Sequence, residues 1–208
     1  MTAAINKFSV PKILQALYYI QGKTPASNQD RFNIVYLLKM IFFSDRYHLR
    51  HFGITATCDD YYAMKLGPVA SSTLDVLKGN LFNLDCADAK HLSSIKEIDK
   101  NNVEIKQQEE YELSASFKES IDFALKEFGN CDWGRLSEIS HCYPEWKKHE
   151  RELSGLVKRL PMNEIDFFDD PDDSVCFADF GKENDPFKDD KGYLLLRKEH
   201  YNAYHLPR

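Results

Sequence analysis

The sequence has few of the features that mark a secreted or membrane protein. Its five cysteines are scattered singly, with no C-x-x-C pair. This spacing fits neither a disulfide framework nor a zinc site, and it predicts a reducing, cytoplasmic location. The most apolar run, residues 34–43, is interrupted by Lys39 and is too short to cross a bilayer. The first residues lack the apolar core of a signal peptide, so we expect neither export nor membrane association.

Enzyme motifs are also missing. The chain contains no glycine-rich nucleotide loop, no G-x-S-x-G nucleophile motif and no H-E-x-x-H zinc motif. His48 and His51 share one predicted helix at a spacing that can hold a metal, but no Cys or His follows at a usual ligand spacing. Cys131 and Cys142 lie near His141 as a conceivable nucleophile pair, but nothing else in that stretch supports one. We therefore expect no catalytic residue, no metal and no organic cofactor.

What the chain does have is a globular composition with unevenly distributed charge. Hydrophobic residues make up 43% and aromatic residues 13%, so long disordered stretches are not expected. The net charge is −6, yet residues 164–190 hold eleven acidic side chains against two lysines, while residues 1–163 are balanced. We predict one domain over residues 1–165, followed by an acidic, phenylalanine-containing extension over residues 166–208 that packs on or flanks it.

The spacing of apolar residues predicts a mainly α fold with a small antiparallel β component. A first helix, capped by Ser9, is expected to end near Gly22. The next helix is expected to begin at Asn28 or Asp30 and to be apolar on nearly every face, which is typical of a buried central helix. Its expected end is Gly53. The fold class is therefore α+β, a compact helical domain around a buried central helix with one or two short hairpins.

The first hairpin is expected just after the central helix. Asp59 and Asp60 supply turn chemistry, and alternating apolar residues follow them. Gly67 then frees the backbone, and Pro68 ends the ladder because it has no N–H to donate. Ser72 is positioned to cap the helix that follows. The Gly-Pro junction is thus expected to be a strand-to-helix corner, and the two aspartates fit turn duty better than acid–base catalysis.

Three later elements complete the predicted order. A second hairpin is expected to turn at residues 101–102. Ser116 is expected to cap an amphipathic helix that ends at Gly129. The apolar residues 193–196 are expected to form a strand.

Two stretches resemble a known family, the Panacea domain, also called the SocA-like antitoxin or phage-associated GepA-like domain. The first is "LLKMIFFSDRYHLRHFG" followed by "YYAMKLGPVASS". The second is "LSASFKESIDFALKEFGNCDWGRLSEISHCYPEWKK". The resemblance covers about residues 10–165. Leu66 stands where the family pattern has Tyr or Trp before Gly-Pro, and Ser44 replaces a common Ala, both conservative departures.

The resemblance implies the antitoxin of a toxin–antitoxin pair, which binds a cognate protein toxin directly. It does not identify the toxin. The residues that match the family motifs are expected to be structural, although they could instead line a groove that holds a toxin segment. These motif residues are Asp45, His48, Lys65, Gly67, Pro68, Val69, Ser71, Leu136, Ser137, His141 and Trp146.

The acidic extension is expected to contact a toxin that has a basic surface. Charge would speed the encounter, and interleaved phenylalanines would serve as anchors. In the alternative, the phenylalanines only strap the segment to the domain. The predicted contacts are Phe167, Phe168, Asp169, Asp170, Asp172, Asp173, Phe177 and Phe180.

Two other functions remain open. A nucleic-acid-binding regulator, which the balanced charge of the body disfavours, would need a basic face such as Arg46, Arg50 and Lys65 together. A hydrolase-like enzyme would need Asp59 and His141 to converge in one pocket.

Overall fold

The computed structural model describes residues 7–80, 90–107, 111–172, 174–175 and 177–205. These residues form a mainly α fold with two small antiparallel sheets, which confirms the predicted fold class. The helices are α1 (Val10–Lys23), α2 (Ile34–Phe52), α3 (Ser71–Leu77), α4 (Ala115–Phe128), α5 (Trp133–His141), α6 (Pro144–Lys147), α7 (Glu150–Leu153) and α8 (Lys191–His205). The strands are β1 (Tyr61–Met64), β2 (Gly67–Ala70), β3 (Ile95–Asp99), β4 (Asn102–Ile105) and β5 (Arg159–Pro161). Short 3-10 turns cover Gln29–Phe32, Lys90–Ser94, Glu164–Phe168 and Phe177–Phe180. Among the described helices, none is both long and apolar enough to cross a membrane.

Helix α2 is the centre of the fold, as expected, and α1, α4, α5 and β2 pack around it. Its predicted start was wrong. Asn28 caps only the 3-10 turn Gln29–Phe32, and the side chain of Asn33 accepts hydrogen bonds from the first amides of α2. Its predicted end was right, because Gly53 adopts the left-handed conformation with φ of 81° and closes the helix.

The first hairpin forms with a different turn from the one predicted. Strand β1 lies between β2 and β5, and it turns into β2 at Lys65 and Leu66 rather than at Asp59 and Asp60. Pro68 does not end the ladder, since it is paired inside β2. An edge strand tolerates a residue without an N–H, because its outer side has no partner strand.

Asp59 has a longer-range role than turn formation. Its carboxylate accepts hydrogen bonds from the amides of Ser72 at 2.8 Å and Thr73 at 2.7 Å, so it caps α3 from outside the helix. The predicted cap by the Ser72 side chain does not form, and the residue at the N-cap position is Ala70. The loop before β1 therefore fixes the start of α3.

Later elements were predicted with mixed success. The second hairpin turns between β3 and β4 close to the expected position, and α4 ends at Gly129 as predicted. Ser114, rather than Ser116, caps α4. The predicted strand at residues 193–196 was wrong, because this run lies inside α8.

Candidate functional site

Two buried side chains hold the β1–β2 hairpin by its main chain. The amine of Lys39, on α2, donates to the carbonyl of Pro68 at 2.9 Å. The indole Nε1 of Trp146, on α6, donates to the carbonyl of Met64 at 2.9 Å. These carbonyls lie on either side of the turn at residues 65–66, so both strands of the hairpin are fixed to the helical body close to the turn.

Gly67 is required at this hairpin for two independent reasons. Its φ of 100° is a conformation that side-chain-bearing residues rarely adopt. A Cβ atom there would also lie closer than 3.0 Å to the amine of Lys39 and to the hydroxyl of Ser140. Ser140 is fully buried and donates to the carbonyl of Ser137 at 2.8 Å. These contacts support a structural role for Gly67, but the predicted strand-to-helix corner at Gly67 and Pro68 was wrong, because both residues lie at the start of β2 and α3 begins only at Ser71.

Lys39 is a buried amine without a carboxylate partner in the described part of the chain. It is 1% exposed, and burial lowers its pKa well below the ordinary value for lysine. The neutral form removes the large cost of burying an unpaired charge. Lys39 and Ser140 both lie against Gly67, and both are buried, so neither is exposed to a substrate in this conformation.

His141 and Trp146 form a stacked pair beside the hairpin. Their ring centroids are 3.6 Å apart and their planes differ by 10°. The Nε2 atom of His141 is buried without a hydrogen-bond partner. Burial lowers the pKa of His141 to about 4. The imidazole is therefore neutral at pH 7.

We expect His141→Ala to lower the melting temperature, because the substitution removes the stack on Trp146. The difference from wild type should shrink as the pH falls. The folded-state pKa of His141, about 4, lies below its ordinary value of 6.5. The unfolded chain therefore binds the proton first, and the stability that neutral His141 contributes is full above pH 6.5 and is lost as the pH falls towards 4. Thermal unfolding of both chains at pH 7 and pH 4.5 checks this; an equal difference at the two pH values would contradict it.

The other motif residues also contact their own chain. Asp45, fully buried, accepts hydrogen bonds from the amides of Ala56 and Thr57 and from the hydroxyls of Thr57 and Tyr61. It therefore ties the loop after α2 to that helix. Burial raises the pKa of Asp45, while these hydrogen bonds oppose the rise.

His48 has both ring nitrogens engaged, with the carbonyl of Ile54 at 2.7 Å and the hydroxyl of Ser116 at 3.1 Å. This leaves neither nitrogen free for a metal in this conformation. The remaining motif positions divide between core and surface: Val69, Leu136 and Ser137 are buried, Ser71 is half-buried beside Arg159, and Lys65 is exposed.

Two arginines of α2 hold residues 164–190, which we call the acidic segment. The guanidinium of Arg46 pairs with the buried carboxylate of Glu145 and donates to the carbonyl of Asp169 at 2.6 Å. Arg50 donates to the carbonyls of Phe167 at 3.1 Å and Phe187 at 2.9 Å. It also pairs with the carboxylate of Asp170 at 2.7 Å. Both arginines are fully buried, so the basic face of Arg46, Arg50 and Lys65 does not form.

The phenylalanines of the acidic segment point into the domain. Phe167 packs edge-on against Phe42 with ring centroids 5.6 Å apart, and Phe187 packs against Phe43. Phe168 and Phe177 are likewise buried. Phe180 is half-buried, with the guanidinium of Arg135 4.8 Å from its ring. These contacts match the alternative in which the phenylalanines strap the segment to the domain. Asp173, another predicted contact, lies outside the described residues.

The strapped segment forms one wall of an open cleft of about 830 Å³, and α8 forms the other. Leu194 and Leu195 of α8 line the apolar part of the cleft, and three lysines also reach it. One carboxylate oxygen of Asp185 is buried without a partner, and the other accepts from the hydroxyl of Tyr143 at 3.0 Å. The five carboxylates of the cleft are Asp169, Asp170, Asp172, Glu183 and Asp185.

Residues 37–147 match the model of the family described as antitoxin SocA-like, Panacea domain. The chain belongs to this family. Comparison with curated proteins and with solved structures found no match. The Panacea match includes α2 except for its first three residues, the β1–β2 hairpin and the His141–Trp146 stack, whereas β5, the acidic segment and α8 lie beyond it.

Sequence reasoning missed how the Panacea domain and the acidic segment are joined. Arg46 and Arg50 are four residues apart and therefore lie on one face of α2. Two arginines on one face of a helix that is predicted to be buried were a sequence feature that could have indicated a partner rich in carboxylate or carbonyl oxygens. Asp59 and His141 contact different elements, α3 and Trp146. These contacts therefore do not bring Asp59 and His141 together in the shared pocket that a hydrolase-like enzyme would need.

Proposed function

We propose that the chain is a cytoplasmic antitoxin that neutralises a cognate protein toxin by binding it directly, without catalysis or a cofactor. Family membership supports the antitoxin role. The observation that carries direct binding is the open cleft with five carboxylates, built on a segment that the central helix holds by its main chain. Because the segment is fixed before any partner arrives, docking there would order few additional residues.

The charge of the cleft indicates a toxin with a basic surface. Proteins that act on nucleic acids or nucleotides attract anionic substrates with basic surfaces. An antitoxin that covers such a surface competes with the substrate. Asp172, which forms no ion pair in the described part of the chain, would guide this encounter most, because Asp169 is paired with Lys198 and Asp170 with Arg50. Phe167 would act indirectly, by holding the segment in place, while Phe168 and Phe177 line the cleft wall.

Deletion of residues 166–208 is a poor test of this proposal. It would remove Phe167 and Phe187 from the core and leave Arg46 and Arg50 without their carbonyl partners. Loss of toxin binding would then reflect loss of the fold. Substitutions of exposed carboxylates keep the segment in place and change only its charge.

We expect the double variant Asp172→Asn and Glu183→Gln to bind the protein encoded by the adjacent gene more slowly than wild type. Both positions are exposed at the cleft. Charges at an interface rim act mainly on the association rate, so we expect a loss of about 3-fold or more at low salt and a weaker salt dependence. Surface plasmon resonance at two salt concentrations measures both.

The matched control is Glu97→Gln with Glu152→Gln, which removes the same charge from exposed positions outside the cleft. It should leave the rate near the wild-type value, apart from the small effect of net charge. Equal rates for the cleft variant and wild type would place the interface elsewhere on the domain.

A further inference from the structure

A second exposed surface lies at the end of the three-stranded sheet. Leu66 is 43% exposed, Leu156 is 100% exposed and Val157 is 42% exposed. Met64 pairs with Arg159 at the end of the sheet, so residues 157–158, which come just before Arg159, lie near the turn at residues 65–66, which comes just after Met64. We call this surface the hairpin tip, formed by Lys65, Leu66, Leu156, Val157 and Lys158. Apolar side chains grouped on a protruding surface are typical of a binding site.

The β1–β2 turn of the hairpin tip is held to the helical body on both sides. This turn lies between the carbonyls of Met64 and Pro68, and buried donors from two helices bind both. Gly67 sits directly against Lys39 and Ser140, so the second strand has no room to shift inward. Leu66, which lies on this turn, would therefore lose little conformational entropy on binding.

The charge of the hairpin tip is opposite to that of the cleft. Lys65 and Lys158 are exposed and form no ion pair in the described part of the chain, and Arg159 is exposed with its guanidinium over the ring of Tyr62 at 3.7 Å. Residues 61–68 and 154–161 contain no acidic side chain. An apolar tip with a basic rim is complementary to an apolar groove with an acidic rim.

We propose that the hairpin tip is a second toxin contact, which inserts Leu66, Leu156 and Val157 into an apolar groove of the toxin that carboxylates surround. This inference rests on the proposed function. Two contact surfaces of opposite charge would allow the toxin to dock in one orientation, because the reversed orientation brings like charges together. The buried apolar side chains of the tip would set how long the complex lasts.

The test is the double variant Leu156→Ser and Val157→Ser in the full chain, with Ile98→Ser as the control. Ile98 is 50% exposed on the other hairpin, so the control removes exposed apolar area without changing the tip. Binding kinetics are measured on the immobilised, purified product of the adjacent gene. We expect the tip variant to dissociate about 10-fold faster or more, with little change in association rate. Because the changed side chains are exposed, its melting temperature should equal that of wild type.

The outcomes separate this inference from the proposed function. If wild type binds and the tip variant dissociates at the wild-type rate, the tip is not a toxin contact, while direct neutralisation stands. If wild type does not bind, both proposals fail. Sedimentation of the chain alone adds one result: a dimer that the tip variant cannot form would assign the tip to a second copy of the chain and overturn the inference.

Discussion

Arg46→Met is expected to lower the free energy of unfolding by about 3–5 kcal/mol, because breaking a buried ion pair leaves its other charge without a partner. Glu145 is fully buried, and its pairing with Arg46 would be lost. The variant would also lose the hydrogen bond to the carbonyl of Asp169 and the contact of the guanidinium with the ring of Tyr143 at 4.3 Å. Urea-induced unfolding at pH 7 measures the change.

Two further variants identify the cause of that loss. Arg151→Met changes an exposed arginine at the start of α7 and should cost little. The double variant Arg46→Met and Glu145→Met should be more stable than Arg46→Met alone, since replacing both buried charges removes the unpaired carboxylate. A double variant that is less stable than Arg46→Met would show that the ion pair is not the main contribution of Arg46.

Gly67→Ala is expected to cost about 2–4 kcal/mol of stability, from backbone strain at positive φ together with the crowding of buried polar groups. The new methyl group would displace the amine of Lys39 and the hydroxyl of Ser140, both of which are buried. Since Lys39 holds the carbonyl of Pro68, the hairpin would loosen as well. Chemical denaturation gives the size of the loss.

Gly79→Ala is the matched control, because Gly79 also has a positive φ, of 66°, but no atom lies within 4 Å of the position of its Cβ. It therefore reports the backbone strain alone. The excess cost of Gly67→Ala over Gly79→Ala measures the crowding against Lys39 and Ser140. Equal costs would mean that these side chains move aside freely, which would contradict the proposed crowding at Gly67.

The helices of the body were predictable because their apolar spacing and caps are local features. The central helix was correctly placed by its continuous apolar run and by Gly53, where it ends. Its start was misplaced because Asn28 and Asn33 are equally good caps, and only the intervening 3-10 turn distinguishes them. Local chemistry likewise could not show that Asp59 caps a helix thirteen residues further along the chain.

The C-terminal region was harder to predict because tertiary contacts determine it. Residues 193–196 are apolar like a strand, but only Leu194 of this run is buried, and the run forms part of an exposed helix. The acidic segment has no periodic pattern of apolar residues that would predict its structure. Arg46 and Arg50 hold it by its main-chain carbonyls, and because every residue has a carbonyl, the sequence does not show which ones are bound. The hairpin tip depends on the pairing of β1 with β5, almost one hundred residues apart.

The central claim, neutralisation by direct binding, is tested most directly by mixing the purified chain with the purified product of the adjacent gene. The account predicts a stable complex of fixed stoichiometry on size-exclusion chromatography, and loss of the toxic activity in proportion to the complex formed. Full protection of cells by the chain, with no complex between the two purified proteins, would contradict it.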